Sequence, residues 1–255
     1  MPDRLPARAL AALGLVFLVG PSAAADHGAP HWSYVGATGP ARWATLEPEF
    51  GTCARGQAQS PIDIRKDAVQ KADLPAIAFD WHRGPLKLMD NGHTLRVIIP
   101  PGSGVTVDGH RYDLVEFHFH RPSEESIDGH RHAMVAHFVH RDAQGHLAVV
   151  AVLLDAGALN PMVASVWNNW PSEKQREVQV TGVEIDPADL LPADHAYYTF
   201  AGSLTTPPCS EGVTWYVLRS PATLSEGEIE RFGSVYPMNA RPVQPMHDRV
   251  VRASP

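Results

Sequence analysis

Two histidines stand two residues apart in the apolar stretch "EFHFH" at positions 116–120. Successive side chains of a β-strand point to opposite faces, so His118 and His120 share one face while Phe117 and Phe119 share the other. Imidazole is the commonest metal ligand in proteins. The spacing therefore predicts half of a metal site, and an ordinary pair of hydrogen-bonded or solvated histidines is the alternative.

A third histidine follows in "RHAMVAHFVH" at 131–140. If this stretch pairs antiparallel with the first, so that His118 lies opposite His137, then His118, His120, His137 and Val139 line one surface. His140 has the opposite parity and points away. Three imidazoles on rigid strands, with a fourth position left for water, suit a catalytic zinc ion.

The chain that must position these residues is rich in turns, since Gly and Pro make up 43 of its 255 residues. Short apolar or alternating stretches predict strands, and two stretches carry helical signals. The predicted strands are "LRVIIP", "GVTVDG", "YDLVEFHFH", "MVAHFVH", "HLAVVAVLLD", "EVQVTGVEI" and "VTWYVLRS", and the predicted helices are "NPMVASVWNNW" and "SEGEIERFGSV". The expected fold class is therefore mostly β (α+β), with a few short peripheral helices.

The first 25 residues have the pattern of a signal peptide. Arg4 and Arg8 form a basic start, an apolar run occupies 9–20, and small residues precede Asp26. The run is too short to span a bilayer, so cleavage before Asp26 and export are expected. In a bacterium the destination would be the periplasm.

Residues 26–255 are enough for one core and are expected to form a single domain. Removing the leader takes away Asp3, Arg4 and Arg8 and changes the formal charge from −7 to −8. Nucleic-acid binding would call for a basic face, so no nucleic-acid partner is expected. No later stretch is predicted to span a membrane.

Two cysteines, Cys53 and Cys209, occur in a chain that is expected to be exported. Such a pair predicts one disulfide, and two free buried thiols are the alternative. The bond would close a loop of about 155 residues, for which chain entropy gives an upper value of roughly 5 kcal/mol.

Several motifs together give the chain a resemblance to a known family. They are "HWSYVG" at 31–36, "CARGQAQSPIDI" at 53–64, "DNGHTLRV" at 90–97, "EFHFHRPSEE" at 116–125, "AHFVH" at 136–140, "GSLTTPPCSEGVTW" at 202–215 and "NARPVQP" at 239–245. In order and spacing they resemble the alpha-class carbonic anhydrases of the exported bacterial type. The resemblance implies a large central, mainly antiparallel twisted sheet, and one Zn²⁺ per chain on His118, His120 and His137. The implied reaction is reversible hydration of CO₂ to bicarbonate and a proton.

The resemblance also implies roles for polar residues around the metal. Thr205 would accept a hydrogen bond from zinc-bound hydroxide and pass its own hydrogen to Glu124, which aims the hydroxide at CO₂. His93 would shuttle the proton to solvent, as an exposed imidazole that titrates near pH 7. Asn91 and Tyr34 would order the water chain.

CO₂ has no charge and no dipole, so its pocket needs an apolar wall. Val139 on the metal face supplies part of that wall, and the resemblance adds the remaining pocket residues, Val149, Leu204, Thr206, Val213 and Trp215. CO₂ and bicarbonate are the implied small-molecule partners. Sulfonamides and anions are the implied inhibitors, and the resemblance also allows a homodimer.

Four positions depart from the family pattern. Glu116 stands where the family commonly has glutamine and would make the site slightly more negative. Val135 replaces a glutamate that supports the third ligand, Glu125 replaces a histidine, and Phe200 replaces a tyrosine. Ligating histidines usually donate their other ring hydrogen to an acceptor. We therefore hypothesise that the Glu125 carboxylate reaches His137 in place of the missing glutamate.

Two other classes of function remain open at the level of sequence. One is a binding module that keeps the carbonic anhydrase fold without catalysis, although such modules typically lack a zinc histidine. The other is a periplasmic zinc carrier that exploits the 14 histidines, including "GHRH" at 129–132.

Overall fold

The computed structural model describes Met1 and residues 31–255. The expected leader at 1–25, with its cleavage site before Asp26, falls outside the described range apart from Met1. Within that range the chain forms sixteen strands: β1 (Asp63–Ile64), β2 (Gln70–Lys71), β3 (Ala78–Asp80), β4 (Gly84–Asp90), β5 (Leu95–Ile98), β6 (Gly104–Val107), β7 (His110–His120), β8 (Ser126–Ile127), β9 (His130–Arg131), β10 (Met134–Arg141), β11 (Leu147–Ala156), β12 (Val178–Ile185), β13 (Tyr197–Ser203), β14 (Glu211–Leu218), β15 (Ala222–Leu224) and β16 (Arg252–Ala253).

Thirteen of these strands form one large sheet. Its main path runs β12-β4-β5-β7-β10-β11-β14-β13-β16-β2, with β15 beside β11 and β6 joining β3 to β7. Most neighbours are antiparallel, and the parallel pairs are β11 with β14, β11 with β15, and β16 with β2. A separate sheet contains β1, β8 and β9. The predicted mostly β, single-domain architecture is therefore confirmed.

Each of the seven stretches predicted as strands lies on a strand of this sheet. Two long strands, β4 and β13, were not among the predictions. In β13 six of seven residues are buried, so the sequence has no alternation to reveal it. In β4 the alternation is present, with Leu86, Leu88 and Asp90 buried, but the strand begins with Gly84 and Pro85, which usually mark a turn.

Both predicted helices are present and are capped by side chains. Helix α2 (Pro161–Asn168) begins at Asn160, whose side chain accepts hydrogen bonds from two backbone N–H groups. Helix α3 (Glu226–Val235) begins with a capping box between Ser225 and Glu228. The other helical segments are α1 (Thr52–Arg55) and four short 3₁₀ turns at Gly36–Thr38, Pro40–Thr45, Pro48–Gly51 and Pro187–Leu190. Across the described part of the chain, every helix falls short of the length and apolar character needed to cross a membrane.

The large sheet buries different residues on its two faces. Phe117, Phe119 and Phe138 belong to the cluster on the face covered by α2 and α3, where Phe119 packs against Trp167 of α2 and Phe232 of α3. A second cluster, which includes Val135, Val149 and Trp215, lies on the opposite face. A fully buried Phe contributes roughly 1.5–3 kcal/mol relative to an exposed one. These phenylalanines, which neighbour His118, His120 and His137 in the chain, thus anchor β7 and β10, the strands that carry the histidines.

Candidate metal centre and active site

Strands β7 and β10 bring the three predicted histidines together. The strands pair antiparallel with His118 opposite His137 and His120 opposite Val135, so the pairing predicted from sequence is confirmed. One ring nitrogen from each of His118, His120 and His137 lies within 4.8 Å of the others, a spacing that can hold a metal ion. His140 faces the other way and bonds the carbonyl oxygen of Phe138 through Nδ1.

Each of the three rings is oriented by an acceptor for its other nitrogen. Nδ1 of His118 lies 3.0 Å from Oε1 of Glu116, and Nδ1 of His120 lies 2.7 Å from the carbonyl oxygen of Asn239. Nε2 of His137 lies 3.2 Å from Oε2 of Glu125. The remaining nitrogens, which are Nε2 of His118, Nε2 of His120 and Nδ1 of His137, face one another. Such acceptors fix the tautomer and the orientation of a ligating imidazole.

The chemistry of the three nitrogens fits zinc. Nε2 of His120 is buried and has no hydrogen-bond partner among the described residues, which is costly for an imidazole unless another group satisfies it. Burial, together with His137 and His118, holds the pKa of His120 well below its usual value. The ring therefore stays neutral, as a metal ligand must. Three imidazoles are a known donor set for catalytic zinc.

Glu116 does not act alone beside His118. Nε of Arg96 lies 3.4 Å from Oε2 of Glu116. Burial by itself would raise the pKa of Glu116, but His118 and Arg96 lower it below its usual range. Arg96 therefore offsets the negative charge that Glu116 was expected to add to the site. The sequence analysis did not identify Arg96, because this residue lies on the neighbouring strand β5.

Glu124 lies in the interior beside the histidine cluster. Its side chain is fully buried, and Oε1 accepts a 2.7 Å hydrogen bond from the backbone N–H of Arg241. Burial raises the pKa of Glu124 to about 7, and the nearby Glu125 adds to the rise. His137 and a hydrogen bond from the Thr205 hydroxyl act in the opposite direction. Thr205 and Glu124 are thus close neighbours, as the family resemblance implied.

Arg241 and Asn239 form hydrogen bonds that hold distant segments of the chain together around the site. The sequence analysis assigned these two residues no role. The buried Arg241 guanidinium donates to Oε1 of Gln59 at 3.0 Å and to the carbonyl oxygens of Ser60 and Cys53 at 2.7 and 2.9 Å. The Asn239 amide donates to the carbonyl oxygens of His93 and Phe119. Both residues lie in the motif "NARPVQP" at 239–245, which is the sequence feature that could have pointed to them.

A cavity of about 220 Å³ opens over the histidines. Its lining includes many of the predicted site residues: Tyr34, Asn91, His93, Glu116, His118, His120, Val139, Leu204 and Thr206. Val149, Val213 and Trp215 lie in the apolar cluster behind it, against which Val139 and Leu204 pack. The rings of His137 and Trp215 are 4.9 Å apart. The cavity therefore has a polar side and an apolar side that meet at the histidines.

The polar side is organised by the turn that follows β4. Oδ1 of Asn91 accepts the backbone N–H groups of His93 and Thr94 at 2.9 and 2.8 Å, so this side chain shapes the turn that carries His93. Tyr34 is buried, and burial together with Glu124 raises its pKa well above the usual value. Tyr34 therefore stays protonated at neutral pH.

His93 is half-buried, and its environment differs from the expected exposed ring. Burial, followed by the neighbouring His31 and Lys174, lowers the pKa of His93 to about 4, although Asp90 opposes the shift. The ring lies flat on Trp32, with centroids 3.6 Å apart and planes inclined by 8°. A neutral His93 is thus the resting form at neutral pH.

The predicted disulfide is confirmed. Cys53 and Cys209 are joined, with an S–S distance of 2.08 Å. Cys209 directly follows the turn that carries Thr205 and Thr206, and its backbone N–H donates to the carbonyl oxygen of Thr206 at 2.9 Å. The bond therefore ties this turn to α1.

Comparisons with known proteins agree with this geometry. Residues 38–255 match the family model described as eukaryotic-type carbonic anhydrase. A carbonic anhydrase of Klebsiella pneumoniae is 42% identical over 226 residues, which cover 88% of this chain and 91% of that protein. A carbonic anhydrase of Nostoc sp. is 37% identical over 87% of this chain and 85% of its own length. The alpha-carbonic anhydrase of Thermovibrio ammonificans, solved with the inhibitor sulfanilamide, is 41% identical with a TM-score of 0.84, over 87% of this chain and 98% of that one.

Proposed function

Because this chain belongs to the alpha carbonic anhydrase family and is a carbonic anhydrase, we propose that it hydrates CO₂ reversibly with one zinc ion held by His118, His120 and His137. The observation that carries this proposal is the convergence of one nitrogen from each ring while the other nitrogen of each ring is bound to an acceptor. That arrangement supports a metal site whose ligands are oriented in advance.

When bound, zinc supplies the Lewis acid that lowers the pKa of a water molecule toward neutrality, as is established for carbonic anhydrases, and so provides hydroxide for attack on CO₂. The protein must then orient the nucleophile. We infer that the Thr205 hydroxyl donates to Glu124, whose pKa this neighbour lowers, so that the Thr205 oxygen remains an acceptor. Glu124 is itself held by the Arg241 N–H. This chain of hydrogen bonds fixes the direction of the acceptor at Thr205.

The apolar side of the cavity receives CO₂. Val139 and Leu204 line the cavity, and Val149, Val213 and Trp215 back them in a continuous apolar cluster. An apolar wall excludes water and binds CO₂ without a polar clamp. Thr206 also lines the cavity, and its hydroxyl can donate to bicarbonate there.

His93 carries the product proton away from the metal site. It lines the cavity, and its backbone is held by Asn91 and Asn239. Because the pKa of His93 lies below neutrality, the ring accepts a proton only transiently and must release it quickly. Stacking on the face of Trp32 favours the protonated ring through a cation–π interaction.

The chain is further proposed to be exported to the periplasm after removal of residues 1–25, as its N-terminal pattern indicates. A disulfide between Cys53 and Cys209 fits an oxidising compartment. Sulfonamides are proposed as inhibitors, because the similar Thermovibrio ammonificans enzyme was solved with sulfanilamide.

The test combines metal analysis with kinetics. We expect one zinc per chain by mass spectrometry of the metal and CO₂ hydration that a sulfonamide abolishes in stopped flow. His118→Ala should lose hydration while the protein stays folded by circular dichroism. His130→Ala removes an exposed histidine that does not line the cavity and serves as the matched control. Stoichiometric zinc in a triple alanine variant of the histidines would overturn the ligand assignment. Zinc that is bound but readily released, without hydration, would instead indicate a carrier, and stable folding without zinc or hydration would indicate a binding module.

A further inference from the structure

A second cavity, of about 780 Å³, lies where β13, β16 and the edge strand β2 adjoin. None of its lining residues lines the cavity over the three histidines. The volume falls in the range of about 300–1,000 Å³ that small-molecule sites occupy. This second cavity therefore has room for an organic molecule, and the chemistry proposed for the metal centre makes no use of it.

The buried aromatic residue of this lining is Tyr198 on β13. It is 6% exposed and packs in the apolar cluster that also contains Phe200 and Trp215. The Tyr198 hydroxyl forms no hydrogen bond with any described residue, and it is not among the side-chain atoms that are sealed from solvent. A phenol hydroxyl can both donate and accept a hydrogen bond, so this oxygen is available to a molecule in the cavity.

The Arg219 guanidinium lies over the ring of Tyr198. Its Cζ atom is 5.7 Å from the ring centroid, a distance at which a cation is attracted to an aromatic face. Nη1 of Arg219 also donates to the carbonyl oxygen of Ser254 at 3.2 Å. These two contacts position the guanidinium, while its Nε and Nη2 atoms bond to no other described residue. Adjacent N–H donors of this kind match the two oxygens of a carboxylate.

The charged groups of the lining leave one positive charge in excess, since three cations stand against two acids: Lys66, Lys71 and Arg219 against Asp73 and the carboxyl group of Pro255. Lys66 is partly engaged, because its Nζ atom lies 3.6 Å from Oδ2 of Asp128 in an exposed pair. Lys71 and Arg219 form no ion pair with any described residue. A single negative charge beside Lys71 and Arg219 is therefore favoured, whereas a multiply charged anion would be repelled by the two acids.

We propose that this cavity binds an organic monocarboxylate with an apolar body. Its carboxylate accepts hydrogen bonds from Arg219, Lys71 and the Tyr198 hydroxyl, and its apolar body lies against Val69 and Ala253. Both of these aliphatic residues line the cavity, and both pack in or against the apolar cluster that contains Tyr198. An apolar wall with a few polar donors is the usual composition of a small-molecule site. The site is separate from the metal centre, so the inference stands independently of CO₂ hydration.

The test titrates 2-naphthoate into the zinc-loaded protein, with and without saturating sulfanilamide to occupy the metal site. Amide signals in ¹H–¹⁵N NMR spectra should shift at residues 69–73, at Tyr198, at Arg219 and at residues 253–254, whether or not sulfanilamide is present. A dissociation constant on the order of 1 mM is expected for a ligand of this size. Shifts confined to the cavity over the histidines, loss of binding when sulfanilamide is added, or no shift at about 10 mM ligand would each overturn the proposal.

Two control ligands separate the charge from the apolar contact. 2-Naphthamide keeps the rings without the negative charge, and acetate keeps the charge without the rings. Each should bind at least about 10-fold more weakly than 2-naphthoate, because either the charge-assisted hydrogen bonds or the apolar contact is lost. Equal affinity for 2-naphthamide would show that the cations do not recognise the ligand, and equal affinity for acetate would show that the apolar wall does not. Either result contradicts the proposal.

Substitutions test the individual contacts. Lys71→Gln and Arg219→Gln should each weaken 2-naphthoate binding by about 5- to 10-fold, the effect of a charge-assisted hydrogen bond reduced by solvent exposure, and Tyr198→Phe should weaken it by about 3-fold. Lys87→Gln is the matched control, because Lys87 on β4 pairs with Glu177 and lies outside the lining. Circular dichroism checks folding, and if Arg219→Gln does not fold, Lys71→Gln and Tyr198→Phe still decide. Affinities in Lys71→Gln and Tyr198→Phe that equal the affinity of Lys87→Gln would overturn the assignment.

Discussion

Oε2 of Glu125 lies 3.2 Å from Nε2 of His137, and both side chains are buried. The carboxylate comes from the connection that follows β7, whereas the family resemblance places the supporting acid on β10, at the position that Val135 occupies. Val135 is itself fully buried in the apolar cluster and cannot accept a hydrogen bond. This contact is the one expected if Glu125, in the connection after β7, supplies the carboxylate that position 135 on β10 lacks.

Replacing Glu125 with Ala should weaken zinc affinity by about 10- to 100-fold, the usual cost of losing the acceptor behind a ligating histidine. Glu125→Gln keeps an acceptor oxygen and should lose less. Val135→Glu, introduced only in the Glu125→Ala background so that two carboxylates are not buried together, should recover part of the loss. A competition titration with a zinc chelator measures the zinc affinity of the wild type and of the three variants. Equal affinity in Glu125→Ala and the wild type would mean that this hydrogen bond does not support the metal.

Removing the His93 ring should slow hydration only where proton transfer limits the rate. His93→Ala is expected to lower kcat in dilute buffer by about 100-fold or more, with kcat/KM preserved. Imidazole at high concentration should restore much of the rate. The check is stopped-flow hydration over a series of buffer concentrations, and a variant that matches the wild type at the lowest concentration would exclude His93 as the carrier.

Reduction of the bond between Cys53 and Cys209 should lower the thermal midpoint. The two residues are separated by 156 positions, and closing so long a loop contributes up to about 5 kcal/mol by chain entropy. The paired substitution Cys53→Ser and Cys209→Ser should reproduce the effect of reductant and should then be insensitive to it. Calorimetry with and without dithiothreitol measures the shift. Free thiols in protein purified from the periplasm would contradict the pairing in the cell.

Two glycines should respond oppositely to alanine. A Cβ on Gly202 of β13 would lie 2.2 Å from Oγ of Ser60 and 2.6 Å from Cδ1 of Trp215, both buried. Gly202→Ala should therefore cost about 1–3 kcal/mol of unfolding free energy through overpacking. Gly227 in α3 has no atom within 4 Å of such a Cβ, so Gly227→Ala should stabilise by about 0.4–1 kcal/mol. Urea unfolding of the two variants gives the comparison, and a neutral Gly202→Ala would show that Trp215 shifts freely.

The sequence alone determined the features that depend on local chemistry. Alternation placed His118 and His120 on one face, and the same parity argument selected His137 while rejecting His140, which the register of β7 and β10 bears out. Helical signals in "NPMVASVWNNW" and "SEGEIERFGSV" indicated the two longer helices, which the structure shows to be capped by Asn160 and Ser225. Such patterns can be read directly because the interactions behind them join residues a few positions apart or on paired strands.

Only the tertiary structure decided several of the groups that surround the three histidines. The acceptor for His120 is a backbone carbonyl 119 positions away, at Asn239, and a carbonyl oxygen is present at every residue, so no residue type reveals it. The partner of His93 is His31, 62 positions earlier in the chain. Arg96 meets Glu116 because β5 lies beside β7 in the sheet. Contacts of this kind depend on how the strands and the connecting turns pack, which no local pattern encodes.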